Sequence, residues 1–307
     1  MNIEWKTITL EDRERIIPYY AYEQSSSCEV SFANNILWAP FYEVEYAIVE
    51  EMLVFLTKKN GYSISMPLAK DKQTEGKLKN AMLSLEAYFE NLGQTFHMHL
   101  VTKKKYEVLE QLFPGKYRIE FDRDVADYIY EVDKMISLAG KKLHGKRNHI
   151  NKFKENNPQW SYESLSDHNL EECLQMAEEW KKMNLCEEKG EKHAEFCVTK
   201  RALKNYKDLG LMGGVLRDGN RVVAFTLGEE LNQDMFVVHI EKAFADVQGA
   251  YPMINQQFLL HEAAGYKYVN REEDTGAEGL RKAKLSYYPV FLQEKGNVWK
   301  TDEKERF

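Results

Sequence analysis

Cysteine is scarce and scattered. Cys28, Cys173, Cys186 and Cys197 include no Cys-x-x-Cys pair, so they signal neither a disulfide framework nor a zinc site and read as reduced cytosolic thiols. Long apolar runs are missing as well. No uncharged stretch approaches the roughly 18 residues that a membrane-spanning helix needs. The start, Met1-Asn2-Ile3-Glu4-Trp5-Lys6, lacks the basic-then-apolar order of a signal peptide. The expectation is a soluble, cytoplasmic protein without stable membrane insertion. Positive charge is in deficit: 42 Lys and Arg against 49 Asp and Glu give −7, which argues against a protein that coats nucleic acid. Gly-x-Ser-x-Gly, P-loop and His-Glu-x-x-His patterns do not occur. The usual hydrolase, NTPase and zincin readings fall away, and no metal site is expected.

What remains is a chain able to build a large core. Its 307 residues are 43% hydrophobic and 12% aromatic, which excludes a disordered chain and fits two ordinary domains. The order of elements supports two. The first part opens with a helix near residues 10–22, followed by three strands at 44–49, 52–57 and 62–67, the last entered through the Lys59-Asn60-Gly61 turn. Leu78, Met82, Leu85 and Phe89 then mark one face of a helix over 75–92 that stops at Gly93. A strand at 95–101 and a helix at 103–113 complete the unit.

Unrelated residues then repeat that order. A helix over 169–183 buries Leu170, Cys173, Leu174, Ala177 and Trp180 on one face. Strands are expected at 211–216 and 221–227 around the Asp218-Gly219-Asn220 turn, and at 235–240. A helix over 250–264, a strand at 266–270, a short helix at 278–285 and a strand at 289–292 follow. Helix, three-strand meander, helix, strand, helix and strand describe an α+β acyltransferase fold of the GNAT type, here as two GNAT-like units in tandem. The units are placed at 1–125 and 126–307, divided between residues 119 and 133.

Three segments concentrate chemistry. Residues 141–154 hold six Lys or Arg and two His with no acid, and as a helix anchored by Leu143, Ile150 and Phe153 they form either a solvated face or an anion clamp. His239-Ile240-Glu241-Lys242 ends the third strand of the second meander, with His239 and Glu241 on one face by alternation. Asn270-Arg271-Glu272-Glu273-Asp274 leads through two glycines to Arg281, Lys282 and Lys284 on a short helix. These two segments also fit surface or structural ion pairs. The coenzyme A signature, Gln or Arg, two residues, Gly, one residue, then Gly or Ala, is almost absent. Gln248-Gly249-Ala250 has the wrong spacing, and Gln73-Thr74-Glu75-Gly76-Lys77-Leu78 ends in Leu.

Together, residues 138–153, His239 through Ala243, and Asn270 through Leu285 resemble bacterial proteins similar to the C-terminal domain of phosphatidylglycerol lysyltransferase. That resemblance spans nearly the whole chain. It implies kinship with Fem-type transferases, which add amino acids from aminoacyl-tRNA to cell-wall precursors. Lys146-Arg147-Asn148 is similar to the basic Arg-Arg-Asn-like helix of those enzymes, and Lys284 to their late lysine.

The resulting expectation is a transfer of an acyl or aminoacyl group to an amine or hydroxyl. Glu241 or His239 would be the base, with Lys284 or backbone N–H groups at the oxyanion. Lys146 and Arg147 would grip a donor phosphate. Asn148, Asn270, Arg271, Glu273, Asp274 and Arg281 would line the substrate. The expected donor is acyl-CoA or aminoacyl-tRNA, and the expected partner a small molecule or a tRNA acceptor end. The alternative is a non-catalytic module of the same fold that senses a nucleotide or peptide.

Overall fold

The computed structural model describes residues 3–59, 61–72, 74–184 and 191–301. Asn60 of the first hairpin turn, Gln73 of the weak coenzyme A match and Cys186 lie outside the described residues. The chain forms two compact units, and neither is one continuous stretch. The first comprises Met1–Asp127, Glu273–Ala277 and Leu292–Phe307; the second comprises Tyr128–Glu272 and Glu278–Phe291. A single cut near residue 125 therefore separates most of the chain but not its last third, where two segments belong to the first unit.

In the first unit, β1 (Lys6–Thr7) precedes α1 (Arg13–Glu23) and α2 (Phe32–Tyr42). The antiparallel meander follows as β2 (Glu45–Val49), β3 (Met52–Thr57) and β4 (Ser63–Ile64). Helix α3 (Thr74–Asn91) crosses to β5 (His97–Thr102), which lies parallel to β4 at Ile64↔Met98. The crossover is needed because parallel neighbours cannot be joined by a tight turn. Leu78, Met82, Leu85 and Phe89 on α3 are buried against Val54, Leu56, Ile64 and Met98 of the sheet. Each such side chain contributes about 1.5–3 kcal/mol by leaving water. Helix α4 (Lys103–Leu112) and the long β6 (Tyr117–Glu131) come next, and β6 passes from the first unit into the second.

The second unit repeats the order after α5 (Val132–Ser137), the basic helix α6 (His144–Asn156) and β7 (Trp160–Ser164). Helices α7 (Leu170–Asn184), α8 (Glu191–Lys204) and α9 (Tyr206–Leu209) lead to the meander β8 (Met212–Asp218), β9 (Arg221–Asn232) and β10 (Met235–Ala243). Helix α10 (Ala250–Glu262) crosses to β11 (Tyr268–Asn270), parallel to β10. Phe258 of α10 meets Phe236 of β10 edge-on at 5.6 Å between ring centres. After α11 (Glu278–Leu285), β12 (Phe291–Lys300) pairs with β5. Strand order is β1-β2-β3-β4-β5-β12-β6 in the first unit and β6-β11-β10-β9-β8-β7 in the second. This is the tandem GNAT-like α+β fold.

The first unit contains a buried charge cluster. Lys295, on β12, has no exposed side-chain surface; its Nζ lies 2.8 Å from Asp127 Oδ1, 2.5 Å from Glu29 Oε1 and 3.7 Å from Cys28 Sγ. The ligand atoms of Cys28, Glu29, Asp127 and Glu273 all lie within 4.8 Å of one another. The Lys295 ammonium supplies the cation for this grouping. Burial works against its charge, yet the neighbouring Asp127 and Glu29 carboxylates hold its pKa well above the ordinary lysine value. Burial, and then the same acids, keep the Cys28 thiol protonated far beyond its usual range. Removing one member of a buried ion pair strands the other. Lys295→Met should therefore lower stability by about 3–5 kcal/mol, read as a fall in the urea midpoint with the slope unchanged.

Candidate functional site

The parallel ladder between β10 and β11 is short. It ends at Val237↔Asn270, while β10 continues to Ala243, paired on its β9 side. Beyond Val237 the edge of β10 that faced β11 opens, and polar side chains fill the gap. A bulge also falls here: Val238 opposes Gly228 and Ile240 opposes Leu227, leaving His239 as the extra residue. Bulges of this kind re-aim a side chain.

Arg271 follows the last residue of β11 and is the centre of the site. Its Nη2 donates to Glu241 Oε1 at 2.9 Å, and its guanidinium carbon lies 5.2 Å from the centre of the Tyr287 ring. Both partners of this ion pair are nearly inaccessible, at 11% and 13% exposure. Asn255, buried on α10, donates from Nδ2 to the other Glu241 oxygen at 3.0 Å. Lys146, on the basic helix, places its Nζ 3.9 Å from the centre of the same Tyr287 ring. Burial, with the Arg271 charge adding to it and Glu241 opposing, brings the Lys146 pKa down to about 8. Two cations thus share one ring, answered by the Glu241 carboxylate.

The other expected residues lie around this centre or apart from it. Lys284 is buried on α11, where its Nζ donates to the Arg271 carbonyl at 2.7 Å and the Glu272 carbonyl at 3.2 Å. Asn270 is fully buried, and its Oδ1 accepts from the Glu272 N–H at 2.6 Å. Arg281 is half-exposed on α11. Arg147 turns back onto the backbone, donating from Nη1 to the Leu138 carbonyl and, at 2.8 Å, to the Gly140 carbonyl. That contact braces the turn before α6. Asn148 is exposed and meets His144 Nε2 at 3.1 Å. Glu273 and Asp274 belong to the first unit. Glu273 lies in the Lys295 cluster, and Asp274 is 3.5 Å from Arg123 Nη1.

His239 lies between two carboxylates, with Nε2 3.0 Å from Glu229 Oε1 and Nδ1 2.7 Å from Glu272 Oε1. Burial alone would lower its pKa. The two hydrogen bonds outweigh burial and push it up to about 10. A ring with both nitrogens protonated has no lone pair to accept a proton at neutral pH. Lys242, next along β10, pairs with Glu195, and its Nζ stands 4.2 Å from the centre of the Trp180 ring.

Three members of the site escaped the sequence reading. Tyr287 lies just beyond the expected helix 278–285, Tyr130 donates its OH to the Lys284 carbonyl at 2.8 Å, and Asn255 holds Glu241. Asn255 had a signal: Asn255-Gln256-Gln257 is a polar run in the middle of an otherwise apolar helix.

A family model described as phosphatidylglycerol lysyltransferase, C-terminal, matches residues 20–295. The chain belongs to that family. It is 36% identical to a conserved protein of unknown function from Bacteroides thetaiotaomicron, whose crystal structure matches with a TM-score of 0.90 over 98% of this chain and 100% of that one. The C-terminal domain of a putative lysylphosphatidylglycerol synthetase from Agrobacterium fabrum is 12% identical, with a TM-score of 0.67 over 96% of this chain and 93% of that domain. At that identity the likeness concerns the fold. An uncharacterised protein of Mycoplasmoides gallisepticum is 25% identical over 185 residues, which is 58% of each chain, so the match spans under two thirds of that relative. Within the described residues of this family member, no helix is long and apolar enough to cross a membrane.

The His239 pKa has a sign that can be checked. Because it is raised on folding, its stabilising contribution is complete below the unfolded value near 6.5 and disappears as pH rises through about 10. Nitrogen-15 NMR of the imidazole should show both ring nitrogens protonated at pH 8.

Proposed function

We propose that this chain is a bacterial, cytoplasmic aminoacyltransferase. In this reading the C-terminal unit moves an aminoacyl group from aminoacyl-tRNA to an amine or hydroxyl acceptor. The observation that carries the reading is the pair of cations, Lys146 and Arg271, on the Tyr287 ring beside Glu241 at the opened edge of β10. Such a pair suits a phosphate of the donor's acceptor end, held by charge and hydrogen bonds. The acceptor's lone pair attacks the ester carbonyl, the carbonyl oxygen gains charge, and the departing ribose hydroxyl takes a proton. Glu241 is the candidate to accept the proton of the attacking group. Each of its oxygens receives one hydrogen bond and keeps a further lone pair.

The start of α10 favours aminoacyl-tRNA over acyl-CoA. A helix N-terminus following a glycine-bearing turn is where a diphosphate would lie. Here α6 covers it: a Cβ on Gly249 would stand 2.2 Å from the His149 carbonyl oxygen and 3.0 Å from the Phe153 Cβ. The Ala250 N–H is also satisfied by the Val247 carbonyl, at 3.1 Å.

Thermal shift and turnover measured together test this reading. Aminoacyl-tRNA should raise the melting temperature by mass action and acyl-CoA should not. The effect should be largest below pH 8, where Lys146 is an ammonium, and should decline above it and with added salt. Glu241→Gln should cut turnover by about 10²-fold or more with donor affinity retained. Stabilisation of the wild type without turnover on any amine or hydroxyl acceptor would favour the sensing module. A shift with acyl-CoA alone would overturn the choice of donor.

A further inference from the structure

The Arg271–Glu272 turn is held in an uncommon conformation from several directions. Glu272 has φ +56°, in the left-handed region that side-chain-bearing residues seldom occupy. Such geometry persists where surrounding contacts over-determine it, and it clusters at functional sites. The contacts here are specific. The Arg271 N–H donates to the Tyr128 carbonyl at 3.0 Å, and the Glu272 carbonyl accepts from the Tyr128 N–H at 3.2 Å. The Asn270 side chain accepts the Glu272 N–H. Lys284 Nζ bridges the Arg271 and Glu272 carbonyls, and the bulged His239 ties the Glu272 carboxylate to Glu229.

We propose that His239 and Lys284 are positioning residues that act through Arg271, His239 by holding the Glu272 side chain and Lys284 by holding the two carbonyls of the turn. Neither touches the reacting groups. What they hold is the direction of the Arg271 guanidinium, which leaves this turn and reaches both Glu241 and the ring shared with Lys146. A neutral residue in place of His239 removes the cation that bridges Glu229 and Glu272. The carboxylates then repel, and the turn that Glu272 belongs to moves. A side chain without an ammonium at position 284 leaves two part-buried carbonyls without that donor, with the same consequence. This proposal rests on the reading of Lys146 and Arg271 as one anion-binding pair. It assigns to that pair the support that keeps it assembled.

The titration of Lys146 in the full chain reports where Arg271 stands, and it requires no substrate. Pulse acetylation with acetic anhydride across pH, with peptide mass spectrometry at Lys146, should give a midpoint near 8 in the wild type. Arg271→Gln should raise that midpoint by about one pH unit, because a nearby cation is removed. His239→Gln and Lys284→Met should each raise it in the same direction, and Lys284→Arg should restore it. In the Arg271→Gln background, His239→Gln should add nothing, which is what acting through Arg271 means. A full His239 effect in that background, or a wild-type midpoint in both His239→Gln and Lys284→Met, would overturn the positioning role while leaving the anion pair in place. Should His239→Gln fail to fold, the Lys284→Met and Lys284→Arg pair decides by the same criterion. An unchanged midpoint in Arg271→Gln would overturn the pair itself, and the proposal with it.

Discussion

Two parallel strands that separate after three residue pairs leave an opening in the edge of a sheet, and buried backbone and side-chain polar groups in such an opening must find partners. In the second unit this requirement sets the chemistry. The ladder stops at Val237↔Asn270, and the gap is filled by a cation, Arg271, that needs a carboxylate. Glu241 supplies it from the part of β10 beyond its pairing with β11, Asn255 completes Glu241, and Tyr287 offers its ring to both Arg271 and Lys146. The site is the set of groups that makes an unclosed sheet tolerable, with one positive charge more than those three ionic groups cancel among themselves.

Most elements were legible because they bury one face. The meander strands, α3 and α10 announced themselves through apolar spacing, and α11 falls on the expected residues 278–285. Two of the omissions, β6 and the length of β12, share a physical cause. β6 reads Tyr117-Arg118-Ile119-Glu120-Phe121-Asp122-Arg123-Asp124 before its apolar end; Tyr117, Ile119 and Phe121 alternate with charged residues, but much of that stretch is exposed, so its burial does not mark it as a core strand. β12 likewise extends to Lys300 through Gln293, Glu294 and Lys295, and only the partners of Lys295 explain a lysine inside the protein. Neither strand's membership in a unit can be read from its own residues.

The site was legible as composition and illegible as roles. Charged residues at 239–242 and 270–284 do meet in part, but a linear string does not say which charge faces which. His239 and Glu241 are two residues apart and look interchangeable on one face of a strand. The bulge at His239 gives them different partners, two carboxylates for one and a guanidinium for the other. Glu272 and Glu273 are adjacent, yet they belong to different compact units. Alternation along a strand could not anticipate either outcome, because both depend on where the backbone departs from regular pairing.

The return of residues 292–307 to the first unit has a consequence for how the chain is made. A ribosome releases the N-terminus first, and domains ordinarily fold as they emerge. Here β5 and the acidic side chains of Glu29 and Asp127 wait for Lys295, which is translated 168 residues after Asp127. Until then β5 lacks its β12 neighbour and the cluster lacks the Lys295 charge. The first unit thus cannot be completed until residues that follow nearly all of the second unit along the chain have been made.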